Sequence, residues 1–257
     1  MIESLISKTS PLKRALVIAA GRGIRLNTHS QDIPKCLISV GSRSIIETIL
    51  LTLRDAGIEE AIIVTGYKHE VIEERLGDGS RIGLRLRYVR NDRWQKKNGL
   101  SVCAARNLFD PDEQFLLTMS DHLFAPEILT TLMSFQLGPG ETALAVDSKV
   151  DSIVDIEDAT KVVCKGPNIT QIDKKLMDYN GVDCGLFKCT TGLFDALAAA
   201  MVDGDFSLTD GCRQLIASER MKAADIGTAF WIDIDTPQSL TYAMSKLEIS
   251  DHGVSTK

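Results

Sequence analysis

Residues 14–26 read "RALVIAAGRGIRL", a short apolar run that stops at two glycines flanked by arginines. A run of this length bounded by glycine is the pattern of a strand buried on both faces. Ligands of open α/β sheets bind beyond the carboxyl ends of such strands, and glycine there leaves main-chain N–H groups bare enough for a phosphate to approach. Two familiar glycine-rich patterns do not fit. A dinucleotide fingerprint needs glycine where Leu26 stands, and the next long strand, "AIIVTG" at 61–66, lacks the acid that would hold a ribose. A Walker-type loop needs a Gly-Lys-Ser/Thr that does not follow. What the segment does carry is Arg22 and Arg25, then "DIPKCLISVG" at 32–41 with Lys35, so that cations and free amides gather as a triphosphate requires.

Outward from this strand, apolar runs alternate with amphipathic segments up to about Met119, which implies crossover connections and a mainly parallel sheet covered on both faces. In "SIIETILLTLRDAG" (44–57) Ile45, Ile49, Leu50 and Leu53 fall on one helical stripe that ends at Gly57. After Ala125 the rhythm changes. "TALAVD", "ATKVVCKG", "NITQIDKK" and "VDCGLFKC" read as strands with little helix between them, an antiparallel or mixed lobe. Helices resume at "TGLFDALAAAM" and "SLTDGCRQLIASE", and "FWIDID" followed by "PQSLTYAMSKLE" closes the fold. The expected fold class is α/β, a Rossmann-like mainly parallel sheet with a small mixed β lobe. One domain is expected over 13–248, its parts being 13–135 and 136–248, with flexible termini at 1–12 and 249–257.

With 257 residues and 44% hydrophobic content the chain can bury a full core, and a net charge of −6 argues against a general basic surface for nucleic acid. An anionic ligand must therefore be held by local charge. Six cysteines lie scattered without a CxxC pair, as reduced thiols in a cytoplasmic protein do. The start of the chain does not resemble a signal peptide, and no apolar run approaches the ~20 residues of a membrane span, so no membrane insertion is expected.

The ordered set "AAGRGIRL", "PKCLISVG", "RNDRWQKKNGLSV", "LLTMSDH", "VDCGLF" and "FWIDIDT" resembles the nucleoside-triphosphate transferase superfamily, the sugar-phosphate nucleotidyltransferases, and within it most of all the inositol-1-phosphate cytidylyltransferases. The resemblance runs from about Lys13 to Lys246. It implies a nucleotide-diphospho-sugar transferase fold and transfer of CMP from CTP to a phosphorylated polyol, best guessed as inositol 1-phosphate, with Mg²⁺ as cofactor. Alternatives within the class are phosphocholine or aminoalkylphosphonate cytidylyltransferases and other NDP-sugar pyrophosphorylases; a non-catalytic nucleotide-binding regulator is the rival from another class. A quaternary ammonium acceptor would ask for an aromatic box, to which Tyr179 and Trp231 could contribute.

The resemblance also implies roles. Arg25 would grip the β- and γ-phosphates, and Lys35 would reach the α-phosphate and the acceptor phosphate. Ala19, Ala20, Gly21 and Gly23 would supply the cradle; Arg22 is either a lesser contact or a solvated loop arginine. Asn98, Gly99 and Ser101 would lie against the nucleobase and ribose, Asn98 doubling as a helix cap. Asp121 ends an apolar strand and would hold the metal together with one of Asp235 and Asp233, Asp235 first, on the expectation that these two point to opposite faces. His122 would orient Asp121, sit beside the acceptor, or merely end a strand. Glu157, Lys174 and Asp183 would face the acceptor, Asp183 being notable because unpartnered buried acids are costly. Fused members of the family carry a membrane-embedded synthase; here such a partner would be a separate polypeptide. A homodimer is compatible with the sequence.

Overall fold

A computed structural model describes residues 12–23, 33–153 and 155–252; Arg25 and the rest of 24–32 lie outside the described residues. In chain order the strands are β1 (Arg14–Ala19), β2 (Ser39–Val40), β3 (Arg43–Ser44), β4 (Glu60–Thr65), β5 (Arg85–Arg90), β6 (Gln114–Met119), β7 (His122–Phe124), β8 (Thr142–Asp147), β9 (Lys161–Lys165), β10 (Asn168–Asp173), β11 (Gly181–Thr190), β12 (Met221–Asp225) and β13 (Trp231–Asp233). The helices are α1 (Ile45–Asp55), α2 (His69–Leu76), α3 (Gly99–Ala104), α4 (Pro126–Ser134), α5 (Gly192–Ala199), α6 (Leu208–Ala217) and α7 (Pro237–His252).

Nine strands form one sheet in the order β5-β4-β1-β6-β11-β8-β12-β10-β9. The first four are parallel, as the crossover pattern requires; β11 runs antiparallel between β6 and β8, and β12 pairs parallel with β8. The mixed part expected after Ala125 is thus built onto the parallel part as a continuation of the same sheet. Because β8 is antiparallel to β11, which is itself antiparallel to β6, the carboxyl ends of β1, β6 and β8 and the amino end of β11 share one rim. Register fixes this closely. Ile18 pairs with Met119, and Val182 with Asp147.

Alternation along the central strands divides the core in two. Ala15, Val17, Ala61 and Ile63 face α1 and α4, while Leu16, Ile18, Ile62 and Val64 face α3, α5 and α6. The stripe Ile45, Ile49, Leu50, Leu53 is buried as its spacing predicts. A capping box opens α1, in which Ser44 accepts from the Glu47 amide while Glu47 reaches back to the Ser44 amide; Gly57, at φ 92°, turns the chain after it. No helix among the described residues is long and apolar enough to cross a membrane.

Lys188, in β11, is buried and donates to the carbonyls of Met133 (3.0 Å) and Phe135 (2.7 Å) at the end of α4. A cation there meets the negative end of the helix and satisfies carbonyls that have no intrahelical partner. Lys188→Ala is expected to cost about 2–4 kcal/mol, read from the urea midpoint at unchanged m. A loss below the error of that measurement would assign the lysine no structural part.

Candidate active site

The glycine turn after β1 keeps Gly21 and Gly23 at the sheet rim. Gly23 has φ 67°, and a Cβ on it would stand 2.3 Å from the Cβ of Lys35, so a glycine is what allows Lys35 to pass behind the loop. Lys35 opens a short 3₁₀ turn after Pro34 and is 8% exposed. Its ammonium donates to Asp121 Oδ2 at 2.7 Å, contacts Asp235, and lies 3.6 Å from Asp233 Oδ1.

Local pairing explains why residues 86 and 200 positions away meet this lysine. The chain leaves β6 at Met119, Ser120 donates its amide to Ile18, and the next residue is Asp121. The ribbon of β7 and β13 then sets His122 opposite Asp233, and the Ile234 amide donates to the Asp121 carbonyl. The expectation that Asp233 and Asp235 point to opposite faces is wrong: residues two apart on a strand share a side, with the buried Ile234 between them facing the core. Both carboxylates therefore converge on Lys35. The Asp235 amide is held by Ser239 Oγ (3.1 Å), which fixes the turn into α7.

His122 Nδ1 lies 2.7 Å from Asp121 Oδ1 and 4.0 Å from Asp233 Oδ1. Burial alone would lower the imidazolium, but Asp233, Asp121 and Asp183 around it reverse the sign and raise it to about 9. For Lys35, burial is likewise outweighed by the three carboxylates, so it stays charged. Burial would raise Asp121, yet Lys35 and His122 hold it well below the usual carboxylate range. Asp233 goes the other way, to about 6, because burial and the neighbouring Asp121 and Asp235 exceed the help from His122 and Lys35.

Asp121, His122 and Asp233 offer ligand atoms that all lie within 4.8 Å of one another, and Asp233 Oδ1 is buried without a hydrogen-bond partner among the described residues. Carboxylates in this arrangement, beside space for phosphate oxygens, suit a hard divalent cation such as Mg²⁺; the imidazole nitrogen is a poorer donor for that ion.

Two cavities adjoin here. One, of about 530 Å³, is lined by Gly21, Arg22, Gly23, Lys35, Trp94 and Ser101 among others. The second, of about 590 Å³, is lined by His122, Asp147, Lys149, Lys174, Asp183 and Trp231 among others. Asn98, Met119, Asp121 and Asp235 border both. Ala20 also lines the first cavity, and Ala19 is buried in β1 behind it. Arg22 is exposed, its guanidinium 5.4 Å from the centre of the Tyr67 ring, and Tyr67 packs on Trp94. Ser101 is buried and accepts from Asn91 Nδ2 at 2.9 Å. Gly99 packs so closely on Phe206 that a Cβ would stand 2.5 Å from the ring.

Three further expectations need correction. Asn98 makes no side-chain cap on α3; its Oδ1 accepts instead from the Leu208 amide at the start of α6, because its own backbone is already helical. Glu157 is exposed and does not line the second cavity, where Asp155 and Asp158 stand instead. Tyr179 also lies away from that cavity, near Lys161, so it offers no wall of an aromatic box. Lys174 lines the cavity and pairs with Asp158 at 3.1 Å. Asp183 accepts from the Gly185 amide at 2.7 Å, and burial, outweighing this bond and the nearby His122 and Lys174, raises its carboxyl. Gly185, at φ 72°, leaves room for the His122 ring, 2.5 Å from where a Cβ would sit.

Asp147, Lys149 and Trp94 are lining residues that the sequence did not single out. Asp147 is buried and accepts from Trp231 Nε1 (2.9 Å), the Lys149 amide (2.8 Å) and Lys149 Nζ (2.7 Å). An acid closing an apolar strand, as Asp121 closes "LLTMSD", was the available signal. Lys149 and Trp94 sit in connecting segments with no such marker.

The family model for nucleotidyl transferases matches residues 14–250. Among curated proteins, a bifunctional IPC transferase and DIPP synthase of Rubrobacter xylanophilus is 34% identical over 228 residues, 88% of this chain and 50% of that protein. A protein of the same description from Aquifex aeolicus is 27% identical over 242 residues, 92% of this chain and 52% of that one. The chain thus spans about half the length of these relatives. Among solved structures, the inositol-1-phosphate CTP transferase from T. maritima superposes with a TM-score of 0.82 at 24% identity, covering 93% of this chain and 98% of that one. A UDP-glucose pyrophosphorylase reaches 0.76 at 18%, covering 93% and 99%. At these identities the two structures speak for the fold.

Proposed function

The chain belongs to the nucleotidyl transferase family, and from that premise we propose that it transfers CMP from CTP to the phosphate of a polyol, inositol 1-phosphate first, giving CDP-inositol and pyrophosphate. The supporting observation is the pair of cavities that meet at Asp121 and Asp235 under the Lys35 ammonium. Two anionic substrates entering from opposite sides would bring their phosphates together there.

The nucleotide takes the cavity of Gly21 and Gly23, with Arg22 at its mouth and Ser101 and Trp94 along its wall; Arg25 belongs to the same proposal. The acceptor takes the other cavity, its phosphate toward Lys174 and Lys149 and its hydroxyls toward Asp183 and Thr160. An acceptor phosphate oxygen attacks the α-phosphorus in line, the new P–O bond forms as the bond to the β-phosphate oxygen breaks, and pyrophosphate departs with that electron pair. A phosphate dianion is already nucleophilic near neutral pH, so no general base is needed. Lys35 neutralises charge that grows between the two phosphates, and His122 holds the Asp121 carboxylate in place.

Asp121 and Asp233, with Asp235 beside them, are the residues that would hold Mg²⁺. When bound, that ion would offset the developing negative charge on the phosphates. The free thiols of all six cysteines accord with a cytoplasmic setting, and a membrane synthase that consumes the product is part of the same proposal.

Incubation with CTP, Mg²⁺ and one acceptor at a time, with pyrophosphate release as the readout, tests this reading. Release with inositol 1-phosphate and not with phosphocholine or glucose 1-phosphate is the expected result. Tight CTP binding without release for any acceptor would favour a regulator instead.

A further inference from the structure

Lys35 stands where the three carboxylates of the site converge. Its ammonium is 2.7 Å from Asp121, in contact with Asp235 and 3.6 Å from Asp233, and the side chain is almost fully enclosed. Magnesium binds carboxylate oxygen at about 2.0–2.1 Å and keeps several waters about it. An ammonium seated among the same oxygens leaves no room for that shell, and two like charges a few ångströms apart in a poorly solvated site repel strongly. On the far side of Asp121, the His122 imidazole lies 2.7 Å from Oδ1, so both oxygens of that carboxylate already have a neighbour.

From this geometry we infer that Lys35 is a placeholder cation: before nucleotide arrives it fills the carboxylate cluster and keeps divalent ions out, and an incoming triphosphate draws it away. Metal and nucleotide then enter together, neither site being complete without the other. The four-carbon stem of lysine permits the swing, since the backbone is held by the 3₁₀ turn while the charged end pivots past Gly23. The inference rests on the reading that a nucleotide and a divalent ion meet at this cluster, and it adds an order of binding and a reason for it. It also explains why Asp233 Oδ1 is left buried without a hydrogen bond, for Lys35 satisfies Asp121 and Asp235 and approaches Asp233 only loosely.

The test is Mn²⁺ binding to the whole chain by electron paramagnetic resonance, with and without CTP, in the wild type, Lys35→Met, Lys35→Gln and Lys35→Arg. Thermal melts identify any variant that does not fold. Without CTP, the wild type and Lys35→Arg should hold Mn²⁺ weakly, and the two neutral variants at least ~10-fold more tightly. With CTP, wild-type affinity should rise by a similar factor, whereas Lys35→Met should gain little. Neutral variants that bind Mn²⁺ no better than the wild type would overturn the inference. Mn²⁺ held by Lys35→Met, but by the wild type neither with nor without CTP, would leave the placeholder standing and overturn the nucleotide reading.

Discussion

Replacing Asp121 by Asn is expected to lower kcat/KM by about 10³-fold while the melting temperature stays within a few degrees of the wild type. The substitution keeps volume and leaves an amide oxygen within reach of His122, so the β7–β13 ribbon should survive. What it removes is the charge of the carboxylate in contact with both Lys35 and His122, which those two groups hold well below the usual carboxylate range. Steady-state pyrophosphate release measures the first quantity and calorimetry the second. Near-normal turnover would take Asp121 out of the site, and collapse of the fold would make it a structural residue only.

Gly185→Ala should act on the acceptor side. Its φ of 72° lies where side chains are strained, and the added methyl would stand 2.5 Å from the His122 ring, which has no free direction between Asp121, Asp233 and Trp231. Strain of about 1–3 kcal/mol should lower the melting temperature by roughly 3–10 °C. Displacement of His122 should also raise the KM for the phosphorylated acceptor by at least ~10-fold, with that for CTP changed much less. Equal rises in both constants would show that His122 serves the nucleotide as much as the acceptor.

Local pattern exposed the parts of this site that end regular elements. The strand before Gly21, the acid closing "LLTMSD" and the carboxylates of "WIDID" are marked by an abrupt change from apolar to charged at a sheet rim, and the structure brings Lys35, Asp121, Asp233 and Asp235 together there. The alternation of helix and strand likewise gave away the parallel half of the sheet, down to the buried stripe of α1.

Features that depend on long-range packing were hidden. Asn98 looks like a cap because it precedes a helix, yet its partner is the amide of Leu208, 110 positions on. Glu157 carries the right chemistry, but the turn between β8 and β9 directs Asp155 and Asp158 to the cavity instead. Asp147 gains its meaning only when β13 places the indole of Trp231 against it. The run of strands after Ala125 carries no sign of which neighbour each will choose, since antiparallel pairing of β11 with both β6 and β8 is decided by tertiary fit.

A crystal structure with CTP and inositol 1-phosphate soaked together, under conditions that prevent turnover, tests the central claim most directly. The account predicts the α-phosphate beside Lys35 and Asp121, with an acceptor phosphate oxygen ~3–3.5 Å from the α-phosphorus, Lys174 and Lys149 toward that acceptor phosphate, and the polyol hydroxyls at Asp183 and Thr160. Nucleotide bound away from the Gly21–Gly23 turn, or the two phosphates held apart on either side of the carboxylates, would contradict it.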